Sequence, residues 1–309
     1  MTSHAWIRRL AIVLLLTLTA PAITLVAQRQ SAPPNPSAPR AERMRYETDN
    51  EALQKVAPVK VFDNLYYVGV GSVAAWLVTT SEGMVLIDAV DARYADHLLD
   101  GIRTLGFDSK NVRYAVITQA HADHFGAAAR LQDAGARVAM GEADWAFLAG
   151  PGSANLRGSQ PPRRDMALKD GETLNVGGNT FRFHGTPGHT PGTTSVEFTV
   201  YDGGRPYQAF FMGGVAPAQG VPAGEQAVAS IERVERIQDR IQVRLVTHPW
   251  MDPMFWDRFD QLAQRKPGQP NPLISNAVFR AYVQALKGTM QKNLEAQRAK
   301  AASSSPPAR

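Results

Sequence analysis

The 309-residue sequence contains no cysteine. Disulfide cross-links are therefore excluded, and so are thiolate metal ligands and thiolate nucleophiles. Any metal site has to be assembled from histidine, carboxylate and amide groups. The net charge is +5, but it is spread without a dense Lys/Arg run or a basic–aromatic patch, which argues against a nucleic-acid partner. There is no Gly-x-Ser-x-Gly elbow to supply a serine nucleophile, and no repeat of the solenoid kind. Long apolar runs are missing too, apart from residues 10–27.

That one run has a meaning of its own. Arg8-Arg9 precede it, Pro21 interrupts it, and Ala20, Ala22 and Ala27 close it. A positive start, a short apolar stretch and a small-residue exit predict a signal peptide over residues 1–27. Cleavage fits after Ala22 or, better, after Ala27, where polar residues follow directly. The expectation is a periplasmic or secreted protein with no membrane partner once the signal is removed, and a retained membrane anchor is the alternative. Residues 28–45 (QRQSAPPNPSAPRAERMR) are rich in Pro, Ser and charge and read as a flexible tether. The ordered domain is expected over 46–298, and the tail 299–309 is expected to be disordered. With 44% hydrophobic residues the chain can bury a substantial core.

From Val59 the sequence reads as strands: VKVFDNLYYVGV, AAWLVTT and MVLIDAV, punctuated by Asp63-Asn64, Gly69-Val70-Gly71 and Glu82-Gly83. A helical pattern at 92–105 and the strand VRYAVIT (112–118) follow, then a helix at 124–135 and a strand at 136–140. Past a looser stretch at 150–165, strands are predicted around 172–175, 179–184, 194–200 and 207–212. Helices at 225–239 and 253–265 flank the strand at 242–247, and a last helix covers 276–298. Alternation in two successive stretches predicts a layered α/β domain of two half-units.

The chemistry concentrates at strand ends, where α/β folds place their ligand groups. Gln119-Ala120-His121-Ala122-Asp123-His124 puts four potential ligands within six residues directly after a strand. Positions 119 and 121 project the same way from an extended loop, and Asp123 and His124 then turn into a helix, so one loop can serve two nearby ions. His and Asp are suitable zinc donors once cysteine is absent. Gly185-Thr186-Pro187-Gly188-His189-Thr190-Pro191-Gly192 frames a histidine with turn residues. VRLVTHP delivers His248 at the end of a buried strand, and VLIDA delivers Asp88 the same way. Each segment alone is a weak signal; together they are specific.

These residues resemble the metallo-β-lactamase superfamily, whose loop usually reads His-x-His-x-Asp-His. The similarity runs from about Val59 to about Leu286 and includes VFDNLYYVGVGSVAAWLVTTSEGMVLIDA, the metal loop, GTPGHTPGTTSVEF and THPWMDPMFWDR. It is closest to the cysteine-free third subclass. The resemblance implies a four-layer αββα sandwich. It implies one zinc on Gln119, His121 and His189 and a second on Asp123, His124 and His248, with Asp88 orienting the loop. It implies a small-molecule substrate, a β-lactam opened by a zinc-bound hydroxide with Asp123 as the catalytic carboxylate, and hence a part in antibiotic resistance. Hydrolysis of another ester or amide, such as a lactone, and a non-catalytic exported zinc-binding role stay open.

Two positions depart from the pattern. Gln119 stands where histidine is usual, and a neutral amide oxygen is a weaker zinc donor, so the first site is expected to bind less tightly; some members of the third subclass also carry Gln here. Phe211-Met212-Gly213-Gly214 lacks the metal-bridging aspartate of the thioesterase and phosphodiesterase branches, in keeping with the lactamase branch. His184 and His97 match no ligand spacing and read as structural and surface residues. Trp250, Met251, Met254, Phe255 and Trp256 fit either an apolar substrate rim or ordinary helix packing.

Overall fold

The computed structural model describes residues 38–215 and 219–304. The expected signal peptide, the tether up to residue 37 and the last five residues of the tail lie outside them.

Two sheets carry the fold. In the first, β1 (Val59–Phe62), β2 (Leu65–Tyr67), β3 (Trp76–Thr80) and β4 (Gly83–Ile87) pair antiparallel. Then β5 (Val112–Ile117), β6 (Arg137–Gly141) and β7 (Met166–Leu168) follow in parallel, giving the spatial order β1 to β7. The second sheet runs β12 (Val243–Leu245), β11 (Arg205–Phe211), β10 (Thr194–Asp202), β9 (Asn179–Gly185), β8 (Thr173–Val176) and is antiparallel except for the β11–β12 pair.

Strand pleating decides what each residue touches. Trp76, Val78, Val85, Ile87 and Val116 face inward and meet Phe181, Phe183, Val196, Phe198 and Phe211 from the second sheet. The alternate residues Leu77, Met84, Leu86, Ala115 and Ile117 face outward. There they pack on α3 (Ala95–Thr104), α4 (Ala122–Phe125), α5 (Ala128–Asp133) and α6 (Glu142–Ala149). Phe210 and Met212 of the second sheet face α7 (Val221–Glu235) and α9 (Asn276–Ser304), which contribute Ile231, Phe279, Val283 and Met290. Strands buried on both faces read as continuous apolar runs, and helices cover both outer surfaces. This is the expected αββα sandwich.

The structure corrects three local expectations. The tether predicted up to residue 45 is helical from Arg40: α1 (Arg40–Tyr46) and α2 (Glu51–Gln54) pack on the body, and Met44 is fully buried. The tail expected from 299 continues α9 to Ser304. The helix expected at 124–135 is two pieces, because the amides of Gly126 and Ala127 leave the helical ladder and donate to Val90 O (2.7 Å) and Ala89 O (2.9 Å). Among the described residues no helix is long and apolar enough to cross a membrane.

His184 is a structural residue: its Nε2 meets Glu197 Oε2 at 2.9 Å, and Glu197 also accepts two bonds from Arg240. His97 is half-buried, with Nε2 2.9 Å from Val56 O.

Candidate metal centre

Past the ends of the adjacent parallel strands β4 and β5, Asp88 and Thr118 meet. Asp88 is fully buried; its Oδ1 accepts from Thr118 N at 2.8 Å and its Oδ2 from Thr118 Oγ1 at 2.9 Å. The turn is strained. Asp88 (φ 59°) and Val90 (φ 48°) both lie in the left-handed region, which aspartate tolerates and a β-branched residue rarely adopts. Such strain persists where surrounding bonds over-determine it. Here Ala89 N donates to His124 O at 2.7 Å, so the strained turn and the 119–124 loop hold each other.

Asp88 Oδ2 also accepts from His124 Nδ1 at 2.8 Å, which puts the lone pair of that buried ring on Nε2. His248 follows β12 and is fixed in the same way: its Nδ1 donates to Ser72 O at 2.8 Å. Asp123 Oδ2 lies 3.6 Å from His124 Nε2 and 4.0 Å from His248 Nε2. One donor atom from each of Asp123, His124 and His248 lies within 4.8 Å of the other two, so a single cation can reach all three. Bonds of about 2.0–2.2 Å from two imidazoles and a carboxylate are those of zinc. The donor set fits that ion.

A second group sits beside it. The His121 and His189 rings lie with centroids 4.7 Å apart, and His121 Nδ1 donates to Gln119 Oε1 at 2.9 Å. Gly214 closes this group from the second sheet. A Cβ there would stand 2.1 Å from His189 Cδ2 and 2.8 Å from Gln119 Oε1. Gln119 spans the two groups, because its Nε2 donates to His124 Nε2 at 2.7 Å. The structure thus brings all six expected ligands together, with Asp88 behind them.

Electrostatics keep His121, His189 and His248 neutral and Asp123 ionised at neutral pH. Burial pushes down His121, His189 (to about 3) and His248 (to about 4), with neighbouring imidazoles adding to the effect. Their lone pairs are therefore available, as metal binding requires. Burial opposes ionisation of Asp123, but the charges of His124, His248 and Arg157 outweigh it and hold the carboxyl at about 2. Burial likewise opposes the charged form of His124, and Asp88 and Asp123 reverse that, raising its pKa.

Sequence reasoning missed a residue that ties two of the donor loops together. Asp144, fully buried near the start of α6, accepts from Ala120 N (2.9 Å), Thr190 Oγ1 (2.7 Å) and Gly192 N (2.7 Å). It ties the loop of His121 to the loop of His189. The signal was slight: an aspartate in a short helix, two of its three partners backbone amides. The rim divides. Trp250 stacks on His248 at 5.2 Å and 28°, and Met254 is exposed. Phe255 and Trp256 are instead core residues packed around Tyr67.

A cluster of His and Asp donors at the strand ends of an αββα sandwich defines a class of metal-binding proteins, and comparison places the chain within it. A model of the metallo-beta-lactamase superfamily matches residues 68–203, a span that contains Asp88, the 119–124 loop and His189 but not His248. The structure is similar to BJP-1, a subclass B3 metallo-β-lactamase of Bradyrhizobium japonicum, with 30% identity, TM-score 0.70, and 79% of this chain and 96% of that one covered. It is also similar to native FEZ-1 metallo-β-lactamase from Legionella gormanii, with 25% identity, TM-score 0.71, and 79% and 97% coverage. A hydroxyacylglutathione hydrolase of Acidiphilium cryptum (strain JF-5) is 32% identical over 125 residues, which is 40% of this chain and only 44% of that relative. The chain belongs to the metallo-β-lactamase superfamily.

Proposed function

We propose that this protein is an exported zinc-dependent hydrolase that opens β-lactams. The observation that carries the reading is the Asp123/His124/His248 group, in which each imidazole has its Nδ1 hydrogen-bonded to the protein and its Nε2 turned toward Asp123. Zinc is the ion that this donor set suits, with Asp123, His124 and His248 as its stronger site. Gln119, His121 and His189 form the weaker one, since an amide oxygen is a poorer donor than imidazole. His124 Nε2 has one lone pair, so it accepts from Gln119 or binds an ion, and filling the stronger site turns the Gln119 amide away.

Bound zinc lowers the pKa of a ligated water from about 15.7 to about 7 and polarises a carbonyl oxygen. The side chains do the rest. Asp88 and Ser72 O hold two rings in one tautomer. Asp123, ionised at neutral pH, accepts a hydrogen bond from the attacking water and orients it. The water oxygen joins the lactam carbonyl carbon, the C–N bond breaks, and the proton ends on the departing nitrogen. Export to the periplasm or medium rests on residues 1–27, and a part in antibiotic resistance follows from the reaction.

Support for a lactam over a thioester comes from Gly214. Gly214 stands where a bridging carboxylate would sit, and the His189 ring and the Gln119 amide take up the space that a side chain there would need. Gly214→Ala is expected to displace the His189 ring and reduce turnover about a hundredfold, the scale of a 1 Å misplacement. Zinc stoichiometry and kcat of the folded variant check this. Wild-type values for both would remove Gly214 from the argument.

The likeness to a hydroxyacylglutathione hydrolase favours a thioester as the second reading. Zinc-loaded and chelator-treated protein, assayed on a penicillin, a carbapenem, a lactone and a hydroxyacylglutathione thioester, separates the alternatives. Chelator-sensitive β-lactam turnover supports the proposal. Turnover confined to the thioester or lactone overturns it, and zinc binding without any turnover leaves a binding protein.

A further inference from the structure

The segment ahead of the matched region reaches the metal centre. Met44 of α1 fills the space over Gly71, where a Cβ would lie 2.9 Å from Met44 Cγ. That close contact seats α1 on the 70–73 turn. Gln54, the last residue of α2, is fully buried between them. Its Nε2 donates to Met44 O at 2.7 Å and to Glu47 O at 3.2 Å, and its Oε1 accepts from Ser72 N at 2.8 Å. Its own carbonyl accepts from Gly71 N at 2.9 Å. Two successive amides of the turn therefore end on this one residue. The next group along is Ser72 O, the acceptor for His248 Nδ1. A second path arrives from the surface: the Arg45 guanidinium lies 4.2 Å from the Trp250 ring, and Trp250 stacks on His248.

We infer that Gln54 is a positioning residue for His248, and that α1 and α2 are thereby part of the metal centre. The inference rests on reading His248 as a metal donor. Gln54 orients the Ser72 peptide, the Ser72 carbonyl keeps the proton on His248 Nδ1, and Nε2 is left to face Asp123 and His124. Without the Gln54 side-chain amide, Ser72 N and Met44 O lose a buried partner and the turn relaxes. Ala74 N, which donates to Thr247 O at 2.8 Å, still anchors the far end of the turn. The effect therefore falls on residues 70–72 and on His248, whose alternative Nε2–H tautomer offers no lone pair toward Asp123 and His124.

The test uses the full chain with Gln54→Met, which keeps the shape and loses the hydrogen bonds. Ring ¹⁵N shifts of His248 in metal-free protein report the tautomer, and competition with a chromophoric chelator reports zinc affinity. The wild type is expected to show a single Nδ1–H form. The variant is expected to show a mixture and to bind zinc about tenfold more weakly, the effect typical of losing a group that orients a ligand. Should Gln54→Met fail to fold, Gln54→Asn is measured in the same way, since it is one methylene too short to reach Met44 O and Ser72 N together. A folded variant with wild-type His248 shifts and wild-type zinc affinity overturns the inference. Absence of zinc binding by the wild type would overturn the metal reading instead, while the metal-free shifts still decide whether Gln54 governs His248.

Discussion

Asp123→Ala is expected to strip the Asp123/His124/His248 group of its zinc and to lower kcat/KM by about a thousandfold or more, roughly 4 kcal/mol of barrier. The carboxylate is the only anion of the three donors and lies 3.6 and 4.0 Å from the two Nε2 atoms. Its removal leaves two neutral imidazoles and no negative charge to balance a dication. It also removes the group that orients the attacking water. Asp123→Asn keeps the shape and an oxygen donor but loses the charge, so it should fall between the alanine variant and the wild type. Zinc content by mass spectrometry, measured alongside β-lactam turnover, checks both. Wild-type turnover by the alanine variant would defeat the mechanism.

Asp144→Ala is expected to be the most damaging change outside the six donors. Three groups lose their acceptor at once, two of them backbone amides. Each unpaired buried donor costs about 1–3 kcal/mol, so a loss of about 4 kcal/mol in unfolding free energy follows. The damage should not be confined to stability. Ala120 sits between Gln119 and His121, and Thr190 follows His189, so without the carboxylate the two loops are free to part. Zinc at the Gln119/His121/His189 group should weaken more than zinc at the other. Asp144→Asn, which retains an acceptor oxygen, should recover part of both losses. Urea unfolding and a two-site zinc titration measure them, and an alanine variant with wild-type midpoint and wild-type zinc binding would show that Asp144 braces nothing.

The donors were legible in the sequence because they share a simple rule: a buried strand ends and a His or Asp follows. Four of them sit within six residues, and His189 and His248 carry turn residues beside them. Asp144 and Gln54 obey no such rule. Both act largely through backbone atoms of distant segments, so no spacing announces them. The α1 helix escaped notice because its hold on the body centres on one buried side chain, Met44, within a charged and proline-rich stretch. The split near Gly126 escaped for a different reason. Composition there favours one helix, and only the tertiary bonds to Ala89 and Val90 break it. Phe255 and Trp256 show the opposite limit: their aromatic character was plain, but the sequence did not say whether they face solvent or Tyr67.

Asp88 grips the 118–124 loop at both ends, through Thr118 and His124, and Asp144 grips it in between, through Ala120. The loop is therefore preorganised: folding has already spent the conformational entropy that metal uptake would otherwise cost. Amide hydrogen exchange across this stretch should then be nearly the same in the presence and absence of zinc. Protection that develops only on adding the ion would mean the cation builds its own cradle.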